Sequence, residues 1–150
     1  MSGSVLNSLQ EVQQAVNDEV GFKLFTILVF RDSGKTMERI HSSHPEEYPV
    51  GGRKDVARDV AGDWLKACLE EQRPFFGRTA EDVARIFKDS ELIASLGCGS
   101  IINAPILQDE TTVAALNVLD AEGAYTDQDV EKILDIAKRS STAILEAAGK

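Results

Sequence analysis

Ser100-Ile-Ile-Asn-Ala-Pro-Ile-Leu107, Gln108-Asp-Glu-Thr111 and Thr112-Val-Ala-Ala-Leu-Asn-Val-Leu119 follow one another without interruption. Two apolar, strand-length runs joined by four polar residues read as a β-hairpin, because antiparallel neighbours need only a short turn between them. Pro105 has no N–H to offer a ladder, so its strand must carry it at an edge or a bulge. Asn103 and Asn117 interrupt the two runs at places where a buried amide has to find partners. Downstream, Tyr125-Thr126-x-x-Asp129 begins a helix, with Thr126-Asp-Gln-Asp129 as its cap. The apolar stripe of that helix is Val130, Ile133, Leu134, Ala137, Ser141, Ile144 and Leu145.

Upstream, Lys23 to Arg31 is mostly apolar or aromatic, interrupted by Thr26, and reads as a strand covered on both faces. Asp32-Ser33-Gly34 signals a turn, and Lys35 to Ser42 a half-exposed hairpin partner in which Met37 opposes Glu38 and Ile40 opposes Arg39. Before this hairpin, Val5, Leu9, Val12, Val16 and Val20 form one helical stripe between Ser4, a suitable N-cap, and Gly21, a suitable stop. After it, His44 to Lys54 has no period, two prolines and a Gly-Gly pair, which predicts a loop. A helical period returns at Val56 through Ala57, Val60, Ala61, Trp64, Leu65, Cys68 and Leu69, and Pro74 ends it. Phe75-Phe76 is a short extended piece. Thr79-Ala-Glu-Asp82 is a capping box for a helix with Val83, Ile86 and Phe87 on its apolar face, and Ser90 to Leu96 adds a turn or two stopped by Gly97. The order α-β-β-α-(β)-α-α-β-β-α describes one α+β domain over residues 1–150 with an antiparallel sheet, not a doubly wound fold.

At 150 residues the chain has the size of one domain and a large enough core to fold without metal or disulfide. Its net charge of −9 argues against general nucleic-acid binding and against docking on an anionic membrane. Eight acids and one base lie between residues 109 and 135, so most of the acidity belongs to the last hairpin and the start of the final helix. The segment around Arg53-Lys54 is close to neutral, which leaves room for a small anionic ligand. Two cysteines cannot make a disulfide framework, no secretory signal opens the sequence, and no apolar run is long enough for a membrane span. A cytoplasmic protein with reduced thiols is expected.

The apolar-Pro-apolar step at Asn103-Ala104-Pro105-Ile106, the run Ala114-Ala115-Leu116-Asn117-Val118-Leu119 and the Tyr125-Thr126-x-x-Asp129 helix start resemble a GAF domain, the small-molecule-sensing relative of the PAS domain. The resemblance runs from about Val5 to Ala147. Tyr48-Pro-Val-Gly-Gly-Arg-Lys54 and Ser95-Leu-Gly-Cys-Gly-Ser-Ile-Ile-Asn103 are similar to segments of small single-domain bacterial GAF proteins. The family commonly has Gly in the last hairpin loop and near Ala115; here no Gly occurs between Gly99 and Gly123. The resemblance implies a GAF/PAS-like (profilin-like) sheet, with the terminal helices on one side and loops and short helices over a pocket on the other. It also implies a sensory module for an unknown small molecule, and a homodimer formed through the terminal helices. Tyr48, Gly51, Gly52, Arg53, Phe75, Cys98, Ser100, Asn103 and Asn117 are the candidate ligand-binding residues.

Val50-Gly-Gly-Arg-Lys54 is readable in two ways. Successive backbone N–H groups with Arg53 could form an anion-binding lip, or the segment could be a plain turn with solvated basic side chains. Cys98, between Gly97 and Gly99, is either a ligand-contacting or redox-sensitive thiol, or a small buried hydrophobe. The thiol reading supplies the alternative function: a redox enzyme resembling the free methionine sulfoxide reductases of the family. Against it, no resolving cysteine is evident, since Cys68 falls on a helical stripe. Trp64, Phe75, Phe76, Asn103 and Asn117 could line a cavity, with core packing the favoured reading for Trp64. Phe75 and Phe76 alternate, so at most one of them faces a pocket. His41 and His44 lack the spacing of a metal site. Neither a tetrapyrrole-attachment context nor a cyclic-nucleotide pattern is present, so no cofactor is expected.

Overall fold

The computed structural model describes residues 5–56, 62–86 and 90–149. Helix α1, Leu9–Glu19, leads into the hairpin β1, Leu24–Arg31, and β2, Thr36–Ser42, joined by a 3₁₀ turn at Asp32–Gly34. A three-residue strand β3, Arg53–Asp55, precedes α2, Gly62–Leu65, which runs on into a π-turn at Lys66–Glu70. Then come β4, Phe75–Gly77, α3, Ala80–Ile86, and α4, Ser90–Ser95. The hairpin β5, Ser100–Gln108, and β6, Thr111–Asp120, leads to α5, Asp127–Ala148. The six strands form one antiparallel sheet in the order β3-β2-β1-β6-β5-β4. This is the expected α+β architecture.

The sheet alternates between two buried layers. Phe25, Ile27 and Val29 of β1, Ile102 and Ala104 of β5, and Leu116 and Val118 of β6 face the terminal helices. There they pack on Val12 and Val16 of α1 and on Ile133, Ile136 and Ile144 of α5. Leu24, Leu28 and Phe30, with Ile101, Ala115 and Leu119, point the other way, into a layer closed by Tyr48, Val56, Trp64, Cys68, Val83 and Ile93. The period of two splits each strand between the layers, and this is why the strands read as near-continuous apolar runs.

Ends and turns follow local chemistry. The side-chain oxygen of Ser8 accepts the N–H of Glu11, so α1 starts at Leu9; Val5 is left exposed and Leu6 is buried in its place. Ser4 lies outside the described residues. Thr126 and Asp129 form a capping box on α5, and Thr79 and Asp82 exchange the same reciprocal bonds at α3. Pro105 sits where β4 no longer covers β5, since β4 pairs only with Ile101, Ile102 and Asn103, so its missing N–H breaks no ladder. The β5–β6 turn is Asp109-Glu110, with φ of 52° and 65°, the left-handed pair that a two-residue hairpin of this hand requires.

Three differences from the sequence reading bear on the site. The aperiodic stretch before Asp55 contains β3, an edge strand of three charged residues with no apolar alternation to reveal it. The helix expected from Val56 is described from Gly62 onward; Ala57, Val60, Ala61 and, further on, Phe87 lie outside the described residues. The third difference is a bulge. β1 pairs with β2 as Ile27↔His41 and then Leu28↔Arg39, so Ile40 is extra. Met37 and Arg39 are thereby turned to the loop layer, while Ile40 packs with the helix layer. Arg39, read as the exposed counterpart of Ile40, is 7% exposed.

Candidate functional site

The loop layer contains a partly open cavity of about 40 Å³. The aliphatic part of its wall is supplied by Leu24, Leu28, Met37, Ile93, Ile101 and Leu119. The polar part of the wall is Thr26, Arg39, Tyr48, Lys54, Trp64, Asn103 and Asn117.

Strand register builds the polar row. Thr26 pairs with Asn117 across β1 and β6, and Asn117 pairs with Asn103 across β6 and β5, so the three side chains stand side by side. They are linked in one direction. The amide N–H of Asn103 donates to Asn117 Oδ1 at 2.5 Å, and that of Asn117 donates to Thr26 Oγ1 at 3.2 Å. All three are buried. The chain leaves one group over: Asn103 Oδ1 has no protein partner. Across the cavity wall, Trp64 is 1% exposed, and its Nε1–H also lacks a protein partner. Arg39 Nε, in the same wall, is likewise buried and makes no hydrogen bond, so one buried acceptor and two buried donors belong to residues lining the same space, and each costs about 1–3 kcal/mol while unsatisfied.

Gly51 and Gly52 shape the site differently from an anion lip. The N–H of Gly51 donates to Arg39 O and that of Gly52 to Pro49 O, so neither is offered to a ligand. Gly52 matters for what it lacks: a Cβ there would lie 2.7 Å from Arg39 Nη1. The guanidinium fills that gap, donating from Nη1 to Pro49 O at 3.0 Å and stacking 4.9 Å above the Tyr48 ring. Arg53 lies outside the cavity on β3, exposed and paired with Glu38. The bulge-turned Arg39 is the arginine that lines the site.

The remaining candidates lie nearby. Tyr48, Asn103 and Asn117 are brought together at the cavity. Phe75 pairs with Asn103 on β4 and packs in the loop layer, but it is not part of the cavity wall, and Phe76 faces the helix layer. Ser100 is fully buried, its hydroxyl donating to Gly77 O, which ties β4 to β5. Cys98 is buried beside the α4 end; desolvation, helped by Asp120, pushes its thiol up to about 11. Burial pushes the Cys68 thiol up to about 12. Both are therefore protonated at neutral pH and poor nucleophiles. His41 sits between the sheet and α1, its Nε2 2.7 Å from Gln13 Oε1, and burial lowers its pKa. Among the described residues no group of His, Cys, Asp and Glu is placed to hold a metal ion, and no helix is long and apolar enough to cross a membrane.

Sequence reasoning missed Arg39 as a cavity residue, and for Trp64 it favoured core packing over the cavity that the residue lines. Nothing in the sequence marks a β-bulge, and Trp64 on an apolar stripe reads as core. Thr26 left a usable trace: it is the polar residue inside the otherwise apolar Leu24–Phe30 run.

No family model matches the sequence, and no curated protein is significantly similar to it. Solved structures are similar in fold. The GAF domain/HD domain protein from Geobacter sulfurreducens superposes with a TM-score of 0.74 at 9% identity, over 95% of this chain and 92% of that one. The GAF domain of a two-component sensor histidine kinase from Bacillus halodurans gives 0.67 at 18% identity, over 97% and 100%. A phycocyanobilin-bound GAF domain from a cyanobacterial phytochrome gives 0.68 at 15% identity, over 92% and 82%. The likeness extends over nearly the whole length of the chain: it has the fold of a GAF domain.

Proposed function

We propose that the chain is a sensory module that binds a small molecule in the loop-side cavity. The observation that carries this reading is three buried polar atoms that make no hydrogen bond, Trp64 Nε1, Arg39 Nε and Asn103 Oδ1, in residues of one cavity wall. A core selected only for packing would not retain three uncompensated polar atoms, because apolar residues of similar shape are at least as stable there. The fold neighbours support the reading by analogy, since sensor kinases and a bilin-binding phytochrome use this fold. Binding would couple the sheet to the segments carrying Tyr48 and Trp64, which close the cavity, and would shift their arrangement. The signal would then pass to a second copy or to a partner protein. Val12 and Val16 are already used inside the monomer, so a dimer would use the outer faces of α1 and α5. Sedimentation at micromolar concentration tests it, and a monomer throughout would remove the dimer.

The chain has one tryptophan, so its indole reports on the cavity alone. A screen of small polar compounds read by Trp64 fluorescence should find saturable binders. Leu119→Phe, which fills the space, should abolish the response while the protein stays folded. Binders whose response survives Leu119→Phe would place the site elsewhere.

A further inference from the structure

The polar row carries a direction, and direction selects a ligand. Asn103 gives its N–H to Asn117 and its oxygen makes no hydrogen bond; Trp64, in the same wall, can only donate. A ligand that satisfies both must accept from the indole and donate to the amide oxygen. Arg39 Nη1 donates to Pro49 O and the guanidinium stacks on the Tyr48 ring, while its buried Nε makes no hydrogen bond and is a second donor for an accepting oxygen. Lys54 is the other cation of the wall; Thr26, Tyr48 and Asn117 complete its polar part, and the remainder is aliphatic. At about 40 Å³ the space is far below the roughly 150 Å³ that admits benzene, so the recognised group has only a few heavy atoms. Met37, an unbranched side chain in the wall, can yield to a small group without a backbone change.

Building on the sensory reading above, we infer that the cavity recognises an uncharged primary amide or urea-type head group, its carbonyl on Trp64 Nε1 and its N–H on Asn103 Oδ1. A carboxylate is disfavoured because it would set a second acceptor against Asn103 Oδ1. To receive an anion the row would have to reverse, with Thr26 donating to Asn117 and Asn103 turning its NH₂ inward.

The three probes are acetamide, acetate and acetone, titrated into the ¹⁵N-labelled chain while the single indole N–H resonance is followed. Acetamide should shift it saturably. Acetate, and acetone with an acceptor but no donor, should need at least about tenfold higher concentration, the equivalent of one lost hydrogen bond to a buried partner. Trp64→Phe and Asn103→Ser, read on the backbone amides of Ser100 to Asn103, should each weaken acetamide by a similar factor. A non-saturating acetamide response would leave the two groups to ordered water and overturn the inference. Saturation by acetate at equal or lower concentration would also overturn it, fixing the reversed row while the sensory reading stands. The sensory reading fails separately, if the broader screen finds no molecule that Leu119→Phe excludes.

Discussion

The two faces of this sheet share strands but not chemistry. The helix face is closed by aliphatic side chains from α1 and α5 against alternate residues of β1, β5 and β6. On the loop face the same strands present Thr26, Asn117 and Asn103, one residue out of step, and their covering carries Trp64, Arg39 and Tyr48 around a cavity. A sheet covered on both sides can thus assign stability to one face and recognition to the other, because a shift of one residue changes the face. The π-turn after Trp64 belongs to the second face, and such turns are frequent at functional sites.

The comparison can be broken by mutation. The largest effect should come from the helix face: Ile133→Ala removes a fully buried side chain and should cost about 2–5 kcal/mol in denaturant unfolding, with ligand response unchanged in the folded fraction. A loss of ligand response in that variant would end the separation of roles. Next is Asn117→Leu on the loop face. It takes the middle from the polar row, leaves the amide N–H of Asn103 without its acceptor, and should cost about 1–3 kcal/mol while abolishing ligand discrimination. Smaller, and of opposite sign, is Glu110→Gly at the hairpin turn. Its φ of 65° is strained for a side chain, so glycine should stabilise by about 1 kcal/mol without touching the cavity.

The last effect is an alkaline loss, absent at neutral pH. Both thiols belong to the loop layer, and burial raises them from 9.0 to about 12 for Cys68 and about 11 for Cys98. The folded state holds these protons longer than the unfolded chain does, so their contribution is complete below pH 9 and is lost as the pH rises through 9 towards 11 and 12. Replacing both with alanine should flatten the alkaline limb of a stability profile; an unchanged limb would show that the thiols are not desolvated.

Most of the fold was legible because its signals are local. The β5–β6 hairpin, the capping boxes at Thr79 and Thr126, and the alternation of apolar residues each depend on neighbours in the chain. The site was only partly legible. Asn103 and Asn117 stood out as amides in apolar runs, and register then set them beside Thr26. Arg39 was hidden because one extra residue at Ile40 decides its face, and bulges leave no residue signature. For Trp64 core packing outweighed the cavity reading because its apolar ring satisfies a helical stripe, while its N–H is read only when the surrounding partners are known. Gly51-Gly52 drew attention for its backbone N–H groups, yet it serves by making room for the Arg39 guanidinium.

Methyl spectra of the isoleucine- and leucine-labelled protein, with and without a saturating binder from the Trp64 screen, test the division of the two faces most directly. Ile93, Ile101, Leu24 and Leu119 should shift, while Ile133, Ile136 and Ile144, behind the same sheet, should hold their positions. Shifts confined to the α5 isoleucines, with the cavity methyls unmoved, would contradict the account.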